Sequence, residues 1–280
     1  MRELGALLDE IERLAMPAIA VEIAAHRGST PRESDAFLVA TRAAFAGTIG
    51  GGQLEFHALD IARSMLLQPG GSRRLDIALG PLLGQCCGGQ VGLEFSPVDA
   101  SALARLRLRL RAAQAQQPDI LIFGLGHTGR ALAKVLALLP MRVSAIDDRA
   151  DVFDDLPAAI TLRRLDDPAE AIAHAPAGAA YIVFTHNHSL DYRLVDIALR
   201  RGDAAYVGMI GSQTKLARFR TWFLQRGGGE ANFRRLTCPI GGDDVADKRP
   251  EIIAGLTSAQ IIRAFAAAQA GAASASRMMG

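Results

Sequence analysis

Phe123–Leu139 reads FGLGHTGRALAKVLALL, with Gly124, Gly126 and Gly129 in G-x-G-x-x-G spacing. The run ILIF (120–123) stands directly before the glycines and an apolar helical period follows them, so the motif joins a strand to a helix. That context decides the fold of this half of the chain. The first glycine permits a tight turn, the second lets a phosphate approach the backbone, and the third lets helix and strand pack closely. The helix start then offers unpaired N–H groups and the positive end of its dipole. The next β-rich run, RVSAI (142–146), ends at Asp147 and Asp148, where the ribose-binding acid of a dinucleotide fold belongs. Gly124, Gly126, Gly129 and Asp147 are therefore candidate contacts for NAD(P) or another nucleotide. The alternatives are a turn kept for packing and ordinary polar residues at a strand end.

Working outward, YIVFT (181–185) and AYVGM (205–209) are further β-rich runs, each followed by a helical segment. Strand–helix alternation of this kind predicts a Rossmann-like, doubly wound parallel sheet over 118–270. Ligands of such sheets sit beyond the strands' C-terminal ends. Two loops there carry candidates. FTHNHSLD (184–191) brings His186 and His188 together as ligand contacts, acid–base groups, metal ligands or caps of the next helix. VGMIGSQTKLARF (207–219) sets Gly211, Ser212 and Lys215 at a helix start, as an anion cradle or a plain N-cap. Cys238, alone in TCPIGG, reads as a buried small residue rather than a ligand. The last helix is expected over 251–268, with a frayed tail over 271–280.

The first hundred residues mix strand-like and helical patterns and predict a separate α+β domain over 1–100, followed by a basic helical linker, ALARLRLRLRAAQAQQ, within 101–117. Three loops in this half are dense in functional residue types. HRGSTPR (26–32) exposes backbone donors and Arg32. GTIGGGQLEFHA (47–58) runs Gly50, Gly51 and Gly52 into a helix that begins near Gln53, an arrangement suited to a phosphate or another anion. LGQCCGGQVGLEF (83–95) places Gln85, Cys86 and Cys87 before a Gly-Gly pair. Vicinal cysteines rarely bond to each other because the ring they close is strained. The thiols either reach a soft metal or pack in a tight turn.

The chain has 280 residues, 50% of them hydrophobic and 21% charged, with a formal charge of +2. This composition suits two folded cores and excludes a largely disordered chain. So small a net charge gives no basis for nucleic-acid binding. No signal-peptide pattern opens the sequence, no run resembles a membrane span, and three cysteines without framework spacing fit a reducing compartment. A cytoplasmic protein is expected.

Taken in order, GSTPRESDAFLV, GTIGGGQLE, LGQCCGGQVGLEF, FGLGHTGRALA, FTHNHSLD and VGMIGSQTKLARF resemble the XdhC/CoxI family of xanthine dehydrogenase accessory proteins, over about 21–265. The resemblance implies a chaperone of the molybdenum cofactor (Mo-molybdopterin), carried rather than used, in purine catabolism. Such a protein protects the cofactor while a NifS-like cysteine desulfurase sulfurates it, then inserts it into apo xanthine dehydrogenase. Molybdenum cofactor biosynthesis proteins are further implied partners, and a homo-oligomer is expected. The wider family often has a cysteine where this chain has Gln53. Such a cargo carries a phosphate, a pterin edge and an oxygen-labile metal. Glycine loops and Arg32 suit the first, Gln53, Gln85 and Gln90 the second, Cys86 and Cys87 the third. The competing reading is an NAD(P)-dependent oxidoreductase with His186 or His188 as its acid–base group. A weaker third is a zinc or iron enzyme built on His186, His188 and a cysteine brought in from elsewhere in the chain.

Overall fold

The computed structural model describes residues 2–27, 36–68, 70–78, 89–149 and 151–278. The chain divides into two units, Met1–Gln116 and Gln117–Gly280.

In the first unit β1 (Ile19–Arg27), β2 (Phe37–Ala40), β3 (Phe45–Gly47), β4 (Arg73–Ala78) and β5 (Gln90–Pro97) form an antiparallel sheet in the order β3-β2-β1-β5-β4. The period-2 pattern of β5 shows how its faces are assigned. Val91, Leu93 and Phe95 are buried beneath α2 (Gly52–Leu67), which contributes Leu54, Ala58, Leu59 and Ala62, while Gln90 before them and Glu94 among them, on the other face, are exposed. The opposite face, with Ala20, Val39 and Ala46, is covered by α1 (Arg2–Leu14) and α3 (Ala100–Ala115).

The segment expected to be a linker is a packed element of this unit. In α3, Leu103, Leu106 and Leu110 recur at i, i+3 and i+7 and lie buried against Leu4, Leu7, Leu8 and Ile11 of α1. Each buried leucine contributes about 1.5–3 kcal/mol, which holds the helix to the domain. Arg107 adds ion pairs to Asp9 (2.7 Å) and Glu12 (2.6 Å), and Asp99 caps the helix by accepting from the Ala102 amide. The first unit therefore ends at Gln116 rather than at residue 100.

In the second unit β6 (Asp119–Phe123), β7 (Arg142–Asp147), β8 (Thr161–Arg164), β9 (Ala180–Val183), β10 (Tyr206–Met209) and β11 (Leu236–Thr237) form a wholly parallel sheet in the order β11-β10-β9-β6-β7-β8. Helices cover both faces. α4 (His127–Leu136) and α9 (Pro250–Met278) bury Leu132, Leu136, Ala254, Ile261 and Phe265 on one side. α5 (Ala169–Ala173), α6 (His188–Arg201) and α7 (Gln213–Gln225) bury Ile172, Leu194, Phe219 and Phe223 on the other, with the short α8 (Glu230–Phe233) beside them. This is the expected doubly wound, Rossmann-like domain, preceded by an α+β domain.

The expected tail from residue 271 is instead a continuation of α9, which runs to Met278. Three of its eight residues to Met278 are alanine, which favours helix although the stretch supplies no core pattern. Residues Pro250–Gly271 are long and apolar enough to cross a membrane by length and composition. Ala254, Ile261 and Phe265 of this segment lie in the core instead.

Candidate functional site

β6 lies between β7 and β9, so the connections reverse direction at its C-terminal end, where ligands of such sheets bind. The three glycines there do different work. Gly124 has φ +94°, and a Cβ on it would lie 2.6 Å from the Phe184 carbonyl oxygen. A Cβ on Gly129 would lie 2.1 Å from the Gly124 carbonyl oxygen. Both are required by packing. Gly126 is the N-cap of α4, no side chain caps it, and a Cβ on it would meet nothing within 4 Å. The helix start is open on that side.

Asp147 stands at the end of β7 as expected, but its oxygens face the protein. One accepts from the Leu125 amide (2.7 Å) and from Arg149 Nη2 (3.0 Å), the other from the Arg149 amide (3.1 Å) and Nε (3.0 Å). Burial acts to raise its pKa. The Arg149 side chain and the amides of Leu125 and Arg149 outweigh that and hold it at about 2. Asp147 thus anchors the glycine loop from below. The adjoining cavity, lined by Gly124, Asp147, Asp148, Thr185 and His186, has a volume of about 20 Å3, enough for a water.

One strand over, β9 and β10 end in a second polar cluster. Asp191, in the first turn of α6, is completely buried and accepts from the Thr185 amide (3.0 Å) and hydroxyl (2.7 Å) and from Lys215 Nζ (2.6 Å). Lys215 also donates to the Ile210 carbonyl (2.9 Å). The lysine is thereby held inside the protein rather than offered to an anion. Gly211 makes this possible, since a Cβ there would lie 2.7 Å from Lys215 Cδ. Ser212 is the N-cap of α7, its hydroxyl accepting from the Lys215 amide at 3.3 Å. His186 and His188 are both exposed, and His188 Nδ1 stands 3.8 Å from Asp191. The cap of α6 is Asn187, which accepts from Ser189 and Leu190. Cys238 is a buried free thiol, pushed up to about 11 by burial, and so protonated. Among the described residues, no group of three or more His, Cys, Asp or Glu is placed to hold a metal.

In the first unit Gly50, Gly51 and Gly52 all have positive φ, at 130°, 84° and 64°, and lead into α2 with Gln53 exposed in its first turn. The donors of this loop already have an anion. Glu55 Oε1 accepts from the Ile49 amide (2.9 Å), the Gly51 amide (2.8 Å) and the Thr48 hydroxyl. Asp191 and Glu55 were not candidates from sequence. Each is an acid in the first turn of a helix, which is the only local signal. The partners of Glu55 lie in the preceding loop, as does Thr185 for Asp191, whereas Lys215 comes from the later helix α7.

Arg32, Gln85, Cys86 and Cys87 lie outside the described residues. The strands that flank them share one end of the sheet: Arg27, the last residue of β1, is opposite Gln90, the first of β5, and Gln90 is opposite Ala78, the last of β4. Gly47, which ends β3 just before the glycine run, is opposite Leu38 near the start of β2. All three motif segments of this domain leave the sheet at that end.

Residues 14–78 match the family described as XdhC and CoxI, and residues 120–261 the XdhC Rossmann domain. YqeB of Escherichia coli K12, described as uncharacterized, is 24% identical over 263 residues, 91% of this chain and 44% of YqeB. The chain thus spans less than half the length of that relative. A solved Bacillus halodurans structure described as a xanthine dehydrogenase superposes with a TM-score of 0.74 at 18% identity, covering 94% of this chain and 95% of the other. That likeness is one of fold. With both halves matched in the order in which they occur, the chain belongs to the XdhC and CoxI family.

Proposed function

We propose that the chain is an accessory protein of xanthine dehydrogenase maturation, without turnover of its own, that carries the molybdenum cofactor as cargo in the cytoplasm. The observation that carries this reading is the shared sheet end from which the segments holding Arg32, Gly50–Gly52 and Cys86–Cys87 depart. What supports the reading is that the described strand ends flanking these three segments, distant in sequence, face one end of the same sheet. In this reading Arg32 meets the cargo's phosphate, Gln53, Gln85 and Gln90 contribute polar contacts around its pterin, and Cys86 and Cys87 meet its molybdenum. Delivery requires apo xanthine dehydrogenase as partner, with a NifS-like cysteine desulfurase and the cofactor's biosynthetic proteins acting before it, and the carrier works as a homo-oligomer.

The Rossmann unit is the regulatory or docking half, and the open start of α4 at Gly126 favours a nucleotide or other phosphate there. The oxidoreductase reading is weaker. Asp147 would have to leave Leu125 and Arg149 to meet a ribose, and among the described residues the buried Asp191, 3.8 Å from His188, is the sole acid paired with either exposed histidine. The test is anaerobic mixing of the protein with Mo-molybdopterin, followed by metal and pterin analysis of the protein peak. Stoichiometric molybdenum, reduced in Cys86→Ser/Cys87→Ser protein that remains folded, is expected. An empty peak overturns the proposal.

A further inference from the structure

The sheet end that gathers the three motif segments also holds a cavity of about 280 Å3, lined by Ala25, His26, Arg74, Asp76, Gln90 and Gly92. Its size is at the lower end of small-molecule sites, where roughly 300 Å3 is usual, and suits one fused ring system better than a dinucleotide. Gly92 is its floor. This glycine sits in the interior of β5, paired with Asp76 of β4 and, beyond an irregularity in β1, with Ala25. A mid-strand glycine weakens a sheet unless something approaches the backbone closely. Its φ is not left-handed, so conformation does not demand it; space does. A Cβ there would lie 2.8 Å from Asp76 Oδ1 and 3.5 Å from Arg74 Nη2.

The ends of an acid and a base therefore converge over one bare stretch of backbone. They form no ion pair with each other, and neither side chain has a hydrogen-bonding partner among the described residues. Beside a carboxylate that accepts two hydrogen bonds stands a guanidinium that donates. The complementary ligand edge carries two adjacent donors followed by an acceptor. A 2-amino-4-oxo pyrimidine ring presents that order: the amino group, the ring N–H and the carbonyl oxygen. His26 and Gln90 remain for the second ring, and the glycine floor leaves a flat surface for it to lie on.

We propose that this cavity is a pterin-reading site, in which Asp76 accepts from the amino and ring N–H groups and Arg74 donates to the carbonyl. The proposal rests on the carrier reading above and assigns the cargo's heterocycle to residues of the described sheet. The probes are free pterin and lumazine, its analogue with a carbonyl in place of the amino group, titrated by fluorescence into the intact chain. Asp76→Asn keeps the shape and loses one of the two acceptors; Gly92→Ala displaces Asp76. Both positions are checked for folding by circular dichroism. Wild type is expected to prefer pterin over lumazine by about tenfold or more, the value of a hydrogen bond to a charged group, and both variants to lose that preference. Equal binding of the two probes by wild type, or an unchanged preference in both variants, overturns the site. Molybdenum loading, measured in parallel, separates the two ideas. Loading by wild type without pterin preference sinks this site and leaves the carrier standing. Asp76-dependent pterin preference in a protein that never loads molybdenum upholds the site and sinks the carrier.

Discussion

The ammonium of Lys215 meets the carboxylate of Asp191 at 2.6 Å in a setting that leaves the acid completely buried and the lysine side chain 12% exposed. Because Asp191 also holds the Thr185 amide and Lys215 the Ile210 carbonyl, the pair fastens the loops after β9 and β10 to one another. The pair thus braces the C-terminal edge of the parallel sheet, and disrupting it is expected to act on stability first.

Removing one partner of a buried pair leaves an uncompensated charge. Lys215→Met is expected to destabilise the protein by about 3–5 kcal/mol, and Asp191→Asn together with Lys215→Met to recover part of that loss. Urea unfolding of the three proteins checks the order. A single variant as stable as wild type would remove the fastening role.

Asp147 gives the second unit an acid-sensitive term. Its pKa is lowered from 3.8 to about 2, so its contribution is fully present above pH 3.8 and is lost as the pH falls toward 2. The size is about 1–2 kcal/mol once solvent screening of Arg149, 42% exposed, is allowed for. Stability of wild type and Asp147→Asn, measured between pH 5 and pH 2, should converge at the acid end.

Gly129 and Gly126 separate packing from access. Gly129→Ala, with its methyl driven into the Gly124 carbonyl, is expected to cost about 3 kcal/mol or more, while Gly126→Ala costs less than about 1 kcal/mol. Thermal unfolding distinguishes them. If a phosphate-bearing ligand of this loop is found, Gly126→Ala should weaken it while leaving the fold intact.

Glu55 is expected to hold the left-handed glycine run in place. Glu55→Ala leaves the Ile49 and Gly51 amides and the Thr48 hydroxyl without their acceptor and should lower stability by about 1–3 kcal/mol. Hydrogen exchange at residues 48–52 should rise in the same variant.

Much of the fold was legible because its signals are local. The glycine spacing from Gly124 to Gly129 and the apolar runs of β6, β7, β9 and β10 carry their meaning within a few residues. β3, β8 and β11 were missed since three, four and two residues at sheet margins leave no period to read, and Thr161–Arg164 is mostly exposed. The packing of α3 was obscured by its arginines, which alternate with the very leucines that enter the core. For the candidate site, the sequence marks loops by residue type but carries no sign of the pairings within them. Nothing in the spacing of Asp191 and Lys215, 24 residues apart, or in that of Arg74, Asp76 and Gly92, announces that β-register or parallel strand order will bring them together.

The carboxylate of Glu55, tethered within its own loop, amounts to a resident competitor. An intramolecular group of this kind acts at an effective concentration on the order of millimolar or above. Stray inorganic phosphate of comparable abundance gains little by displacing it. Any guest at the Gly50–Gly52 turn would need further points of attachment, so the arrangement disfavours single anions relative to larger molecules held from several sides at once.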